Sequence, residues 1–384
     1  MFRLTGKQSG RTVAVADIGS SSVAVGIVRV VPHGGARVLV AERATLPVSE
    51  RSLEATATGV ISLLEETATK VLATYAGAAE RPKHVEAAYA VIHSPWTRSK
   101  TIRATLQLPE ELRIERGMIS NLAQEALQAD AEYQHDKVLE AGVIRVELNG
   151  YPTLKPVGKR AHHVAASALL SECDPRIRAG VAEVLAKVFA CPPPTLRSDT
   201  RALLSVTRES STLPKEALIV NMTYEATNIV VVRKGIIAET ALVAEGIGSI
   251  LRRIAGEKMP EETLALIRLL ALDQCDSDAC EATKAAIARA EPELARIFGE
   301  TFGHLSASRR LPNRLVLVAH EDLAGWLSRF FDRIDFAPFT VTTRPFLPVP
   351  LSLESIKELA VFENASGDVS LGIAAALVNM EEYV

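Results

Sequence analysis

Aromatic side chains are scarce in this chain of 384 residues, at 5% of the total. A core must therefore come from Val, Leu, Ile and Ala. Neither sign of charge is in excess: 43 Lys and Arg face 46 Asp and Glu. With no long basic stripe either, the electrostatic footprint of a nucleic-acid binder is missing. No apolar run is long enough to cross a bilayer. The opening residues, Met1-Phe2-Arg3-Leu4-Thr5-Gly6-Lys7, lack the apolar centre of a signal peptide. Cysteine is sparse too, with Cys173, Cys191, Cys275 and Cys280 forming no C-x-x-C pair. Their spacing fits no common zinc pattern, so free thiols in a cytoplasmic protein are expected. His162 and His163 fall in a strand-like run and point to opposite faces, so neither is assigned to a metal. What is plentiful is apolar residue, at 48% against 23% charged. This is a globular chain with ample core, long enough for two or more compact units.

The most informative stretch is Asp17-Ile18-Gly19-Ser20-Ser21-Ser22, set between apolar runs at Thr12–Ala16 and Val23–Val31 that read as strands. A turn with so little side-chain bulk can aim successive backbone N–H groups at an anion. Its aspartate is suited to hold a hydrated Mg²⁺, a hard cation that keeps most of its waters.

Along the chain, Pro32-His33-Gly34-Gly35 signals a turn and Arg37–Ala41 a third strand, before a helix over Leu53–Tyr75. The pattern changes at Arg81-Pro82. His84–Ile92, Thr97–Leu108 and Lys137–Leu148 read as strands around a helix at Glu115–Tyr133, with a turn at Asn149-Gly150. His163–Leu170 resumes as strand, followed by a helix over Pro175–Phe189. Cys191-Pro192-Pro193-Pro194 excludes helix and implies an edge or connecting strand, and Ser198 caps a helix running through Leu204. A second three-strand meander follows at Ala217–Met222, Thr227–Arg233 and Ile236–Ala244. Helices come next at Ile247–Ala255, Glu261–Leu272 and Ser277–Phe302. The end of the chain reads as a strand at Arg314–Val318, a helix at Leu323–Phe331, a strand near Thr340–Thr343 and a helix at Val369–Met380. Two meanders, each leading into helix, imply an internal duplication around a cleft.

With these motifs the chain resembles the FtsA/PilM branch of the actin-like (actin/Hsp70/sugar-kinase) ATPase superfamily over nearly its whole length. The first hairpin is similar to the branch's "D-I-G-S-S-S". Val143–Gly150 is similar to its strand ending in "V-D-G", Leu196–Leu204 to its crossover segment, Ala217–Gly248 to its second phosphate region, and Ser370–Leu377 to its closing helix. The resemblance implies an α/β, two-lobed actin-like ATPase (ribonuclease-H-like) fold with an inserted SHS2/1C-type subdomain. Lobe I is expected at 11–82, 165–210 and 340–384, the insertion at 83–164, and lobe II at 211–339. It also implies ATP as the nucleotide, with Asp17 holding Mg²⁺ through water. Gly19, Ser20, Ser21 and Ser22 would cradle phosphate, and Gly246 and Gly248 would lie at the nucleotide.

The departures from the branch bear most on activity. Where it reads "D-I-G-G-G-T-T-D", this chain has Asn221-Met222-Thr223-Tyr224-Glu225-Ala226-Thr227-Asn228. A carboxylate has become an amide and three glycines are gone. Should that turn need a left-handed backbone, each replacement costs about 1–2 kcal/mol. Glu225 adds a negative charge, opposed to phosphate by about 4 kcal/mol at 4 Å and an effective dielectric near 20. On the adenosine side the expected glycines are replaced by Ala319-His320-Glu321-Asp322. An amide at Asn221 or Asn228 cannot serve as a general base near neutral pH.

The expectation is a non-catalytic cytoplasmic scaffold with weak or no ATP binding. By resemblance it docks either a cytoplasmic peptide of an inner-membrane pilus protein, as PilM does, or a division filament protein, as FtsA does. It would sit at the inner face of the cell membrane through that partner and self-associate through the inserted subdomain. The chain ends at Glu381-Glu382-Tyr383-Val384, without the basic amphipathic helix that FtsA uses as an anchor, which favours the PilM-like role. The start, with Phe2, Arg3, Leu4, Lys7 and Arg11, offers too little apolar surface for stable membrane binding. Trp96, beside Pro95, is the candidate partner-binding residue. An active actin-like ATPase or an FtsA-type filament protein is the alternative.

Overall fold

A computed structural model of the chain describes residues 10–32, 34–47, 52–78, 84–130, 134–363 and 365–383. The chain begins with β1 (Arg11–Ile18), β2 (Ser22–Val30), β3 (Ala36–Thr45), α1 (Leu53–Ala78) and β4 (Ala87–Ile92). There follow β5 (Thr97–Arg113), α2 (Arg116–Ala129), β6 (Val138–Leu148), β7 (Tyr151–Thr153) and β8 (Arg160–Cys173). The middle of the chain holds α3 (Pro175–Phe189), β9 (Thr195–Ser198), α4 (Asp199–Glu209), β10 (Ala217–Met222), β11 (Thr227–Arg233) and β12 (Ile236–Val243). Helices α5 (Ile247–Ala255), α6 (Pro260–Ala271) and α7 (Asp278–Ser306) lead to β13 (Arg314–Val318) and α8 (Glu321–Arg333). The last elements are β14 (Leu347–Pro350), α9 (Leu353–Ile356), β15 (Ala360–Phe362) and α10 (Val369–Glu382).

Two sheets repeat one topology. The first runs β15-β3-β2-β1-β4-β9 and the second β12-β11-β10-β13-β14. In each, three antiparallel strands are followed by two parallel ones on the far side of the first strand. The central strands β1 and β10 are buried on both faces, which is why they read as unbroken apolar runs rather than alternating ones. Helices α4 and α10 fill the space between the sheets. Ala202, Leu203 and Val206 of the one and Ile373, Ala374 and Leu377 of the other share a core with Val13, Val15, Ile219 and Val230. The small side chains of α10 let it sit close to strands of the first sheet. Outside the second sheet, Phe298, Phe302, Phe330, Phe331, Phe336 and Phe346 stack edge to face, so the few aromatics are concentrated in one core.

A third sheet, β5-β8-β6-β7, has its own core of Leu108, Ile114, Ile119, Leu122, Val146, Leu148 and Val164, partly roofed by α2. Sheet pairing divides the residues differently from the expected 83–164. β4 pairs with β1 and β9 in the first sheet, and β8 runs unbroken to Cys173, so the third sheet spans Thr97–Cys173. Likewise β14, expected in lobe I, pairs with β13 in the second sheet.

Two local expectations are corrected. Thr340–Thr343 is not a strand: Thr340 makes one isolated bridge to Leu311, and the chain then turns with Thr343 at φ +53°. The pairing strand is Leu347-Pro348-Val349-Pro350, whose two prolines leave it little but an edge position. Nor are all four cysteines free. Cys275 and Cys280 are joined, because the loop into α7 folds back on that helix's first turn and brings their Cα atoms to 5.7 Å; Cys173 and Cys191 are free thiols. The turn residue His33, the Arg81-Pro82 boundary, Tyr133 and the N-terminal residues Phe2, Arg3, Leu4 and Lys7 lie outside the described residues.

Candidate functional site

The first hairpin turn is tight: Gly19 N donates to Ser22 O at 2.9 Å, and a Cβ on Gly19 would sit 3.1 Å from that oxygen. Asp17, the last but one residue of β1, is buried. Both of its carboxylate oxygens are engaged. Arg43 Nη2, from the end of β3, donates to Oδ2 at 2.8 Å, and His93 Nε2, just past the end of β4, lies 2.5 Å from Oδ1. Arg43 also donates to Ser22 Oγ at 2.7 Å and pairs with Asp368 at the start of α10.

Beyond His93 the network crosses to the second sheet. His93 Nδ1 lies 3.9 Å from Asp199 Oδ2, at the first turn of α4. That oxygen also accepts from Asn221 Nδ2 at 2.8 Å and Asn228 Nδ2 at 3.3 Å. The amide replacements on β10 and β11 thus act as donors to a buried carboxylate, which carboxylates at those positions could not do. Burial raises the pKa of Asp17, but attraction from His93 and Arg43 and their hydrogen bonds outweigh it and bring it down to about 2. Burial lowers the His93 pKa, yet the Asp17 and Asp199 carboxylates leave it raised.

The second hairpin turn closes on the first. Glu225 N donates to Ser20 Oγ at 3.2 Å, and Thr223 Oγ1 donates to Ser94 O at 3.0 Å. None of Thr223, Tyr224 and Glu225 has positive φ, so the left-handed penalty expected for this turn does not arise. What the missing glycines change is occupancy. The Tyr224 ring lies over Gly248, where a Cβ would come within 2.5 Å of it. Gly246 is held as closely, with a would-be Cβ 2.5 Å from Tyr224 O. The N–H groups at the start of α5 are also taken: Ile247 donates to Thr223 O at 2.9 Å, Gly248 to Tyr224 O at 2.8 Å, and Gly246 to Ser249 Oγ at 2.9 Å. A helix N-terminus attracts phosphate through free N–H groups, and here those of Ile247 and Gly248 are spent on the hairpin and that of Gly246 on Ser249.

On the third side, His320 caps α8, accepting from Asp322 N at 3.3 Å, while Asp322 pairs with Arg268 of α6 at 3.4 Å. Beside the cleft a cavity of about 190 Å³ is lined by Ser94, Thr97, Asn228 and Thr240. Small-molecule sites more usually occupy about 300–1,000 Å³. A larger cavity of about 340 Å³ lies elsewhere, among α6, α7 and α8, lined by Ile267, Ile287, Trp326 and Phe330. Among the described residues no cluster of three or more His, Cys, Asp or Glu is placed to hold a metal ion. The residues present do not fit ATP–Mg²⁺: the carboxylate that would face the metal already has the Arg43 guanidinium and the His93 ring on it, and the Ile247 and Gly248 N–H groups at the start of α5 have partners in the second hairpin.

The structure therefore brings Asp17, Gly19, Ser20, Ser22, Gly246 and Gly248 to one cleft, with Ser21 O accepting from Leu46 N at 2.7 Å behind the turn. It does not bring Trp96 to the surface. Trp96 is 5% exposed, and its indole N–H donates to Gly19 O at 3.2 Å, so it braces the first hairpin and offers no face to a partner. Sequence reasoning passed over Arg43, His93, Asp199 and Asp368. The available signal was a charged residue closing an apolar strand, as His93 follows Ala-Tyr-Ala-Val-Ile and Arg43 ends β3.

Two sheets of one topology with two helices between them are the actin-like ATPase fold. Solved structures carry the same fold. The PilM-PilN type IV pilus biogenesis complex matches with a TM-score of 0.54 and 13% identity, over 96% of each chain. The ethanolamine utilization protein EutJ from Carboxydothermus hydrogenoformans matches with a TM-score of 0.46 and 13% identity, over 95% of this chain and 90% of that one. At such identity the likeness to the PilM structure is one of fold. No protein-family model and no curated protein matches the chain.

Proposed function

We propose that this actin-like chain is a non-catalytic scaffold that no longer uses ATP and docks, as the likeness to the PilM-PilN complex suggests, to a protein of a membrane-bound assembly. One observation carries the reading: both oxygens of Asp17 are engaged within the protein, one by the Arg43 guanidinium and the other by the His93 ring. In a nucleotide-using cleft that carboxylate faces a hydrated cation. Here the cation is supplied by a side chain, Arg43, and the network joins the two sheets through His93, Asp199, Asn221 and Asn228. A scaffold benefits from that, because its cleft holds one geometry. The third sheet, as an SHS2/1C-type insertion, is the proposed site of partner docking and self-association. No helix among the described residues is long and apolar enough to cross a membrane.

Isothermal titration of ATP–Mg²⁺ into the purified chain tests the reading. No heat of binding up to millimolar ATP is expected. Micromolar affinity would overturn the proposal and restore the ATPase.

A further inference from the structure

The third sheet ends in a tip that nothing in the fold covers. Asn149 and Gly150, both left-handed at φ +49° and +83°, turn the chain out of β6 into the short edge strand β7. The next residues return through Gly158, at φ +87°, to β8. On this segment Leu154 is 97% exposed, Tyr151 78% and Val157 54%. A single exposed apolar residue is ordinary, but three within seven residues are not.

The tip is also held in place. Gly158 N donates to Ile114 O and Ile114 N to Lys159 O, both at 2.8 Å, and Lys159 Nζ donates to Thr153 Oγ1 at 2.8 Å. Along the segment itself the charge is of one sign, with Glu111 of the neighbouring loop beside it. Between Glu147 and Glu172 the sequence has no carboxylate, but it has Lys155, Lys159 and Arg160. Arg160 is paired with Glu111 of the neighbouring loop, whereas Lys155 and Lys159 have no ion-pair partner among the described residues.

The shape decides the kind of partner. Pro152 removes a ladder donor from β7, and an edge strand broken in this way does not accept an added peptide strand. A rigid protein surface would need pockets to match side chains as exposed as these. A deformable surface needs none. Apolar side chains beside two lysines without an ion-pair partner, with a tyrosine on the same segment, suit the headgroup boundary of an anionic bilayer. We propose that this tip is a lipid-contact site. Leu154, Val157 and Tyr151 enter the headgroup boundary, and Lys155 and Lys159 meet anionic headgroups. Three side chains and two cations make the contact weak and reversible. It is independent of what the cleft binds.

The test is co-sedimentation of the full chain with phosphatidylcholine vesicles, with and without about 30% phosphatidylserine, at about 0.1 M salt. The wild type is expected to partition at least about tenfold better onto the anionic vesicles. Leu154→Ser with Val157→Ser should lose about tenfold, as should Lys155→Glu with Lys159→Glu, with the melting temperature unchanged because all four side chains are exposed. Absence of wild-type binding to anionic vesicles would overturn the proposal. So would equal binding by the serine variant. Self-association abolished by the serine variant, with no vesicle binding, would reassign the tip to a contact between copies.

Discussion

Asn at position 17 would remove one charge from the cleft and leave nearly the same shape, so Asp17→Asn isolates the ion pair. Asp17 is buried, and its pKa falls from 3.8 to about 2 on folding. A depressed carboxylate stabilises the fold above its unfolded pKa and loses that contribution as pH falls toward the folded value. The shift of nearly two units corresponds to roughly 2.5 kcal/mol at neutral pH, with about half of that remaining at pH 3. His93 has the opposite sign. Its raised pKa contributes stability below the ordinary histidine range and loses it as pH rises through the folded value. Together they place the cleft's greatest stability between about pH 5 and 6.5. Urea denaturation at pH 7 and pH 3 reads the carboxylate directly. Asp17→Asn should be less stable by roughly 2 kcal/mol at pH 7 and by about half as much at pH 3. A deficit equal at the two pH values would refute the ion-pair argument. So would a wild type that Mg²⁺ stabilises and an Asp17→Asn variant that it does not, since Asp17 would then be a metal ligand.

Two further outcomes follow from packing in the same cleft. Gly248→Ala should cost about 1–3 kcal/mol, because its methyl meets the Tyr224 ring, and adding Tyr224→Ala should recover part of that loss. Additive losses in chemical denaturation would show that the ring does not occupy the space over α5. Trp96→Ala should cost about 3–5 kcal/mol, whereas Trp96→Phe should cost about 1 kcal/mol for the hydrogen bond to Gly19. If Trp96→Ala leaves the urea midpoint unmoved and weakens partner binding, the indole faces a partner after all.

The meanders were legible because their strands are central and buried. Ala217–Met222, Thr227–Arg233 and Arg314–Val318 need no context to be recognised as strands, since burial on both faces makes their central runs, Ala217–Val220, Ile229–Val232 and Leu315–Val318, apolar. Pro175–Phe189 was legible for a local reason: Asp174 accepts from Arg176 N and Ile177 N, and Pro175 fits the first helical turn. The edge strands at Leu347–Pro350 and Ala360–Phe362 were not legible. They are three or four residues long, carry prolines or half-exposed side chains, and are strands only because a neighbour is there to pair with. The Cys275–Cys280 bridge escaped for a similar reason, because a spacing of five closes only on the geometry of the loop into α7.

By itself, the sequence determined the small-residue turn at Asp17–Ser22, the two meanders and the absence of glycine from Thr223–Glu225. Those depend on residue type and near neighbours along the chain. Only the tertiary structure decided what Asp17 faces. Arg43, His93, Asp199 and Asp368 are 26, 76, 182 and 351 positions away from it in number, and no local pattern links them. The fold places them in one buried network, where a carboxylate out of water must be paired. The pairing is what makes the Asp17–Ser22 turn part of a bond between two sheets.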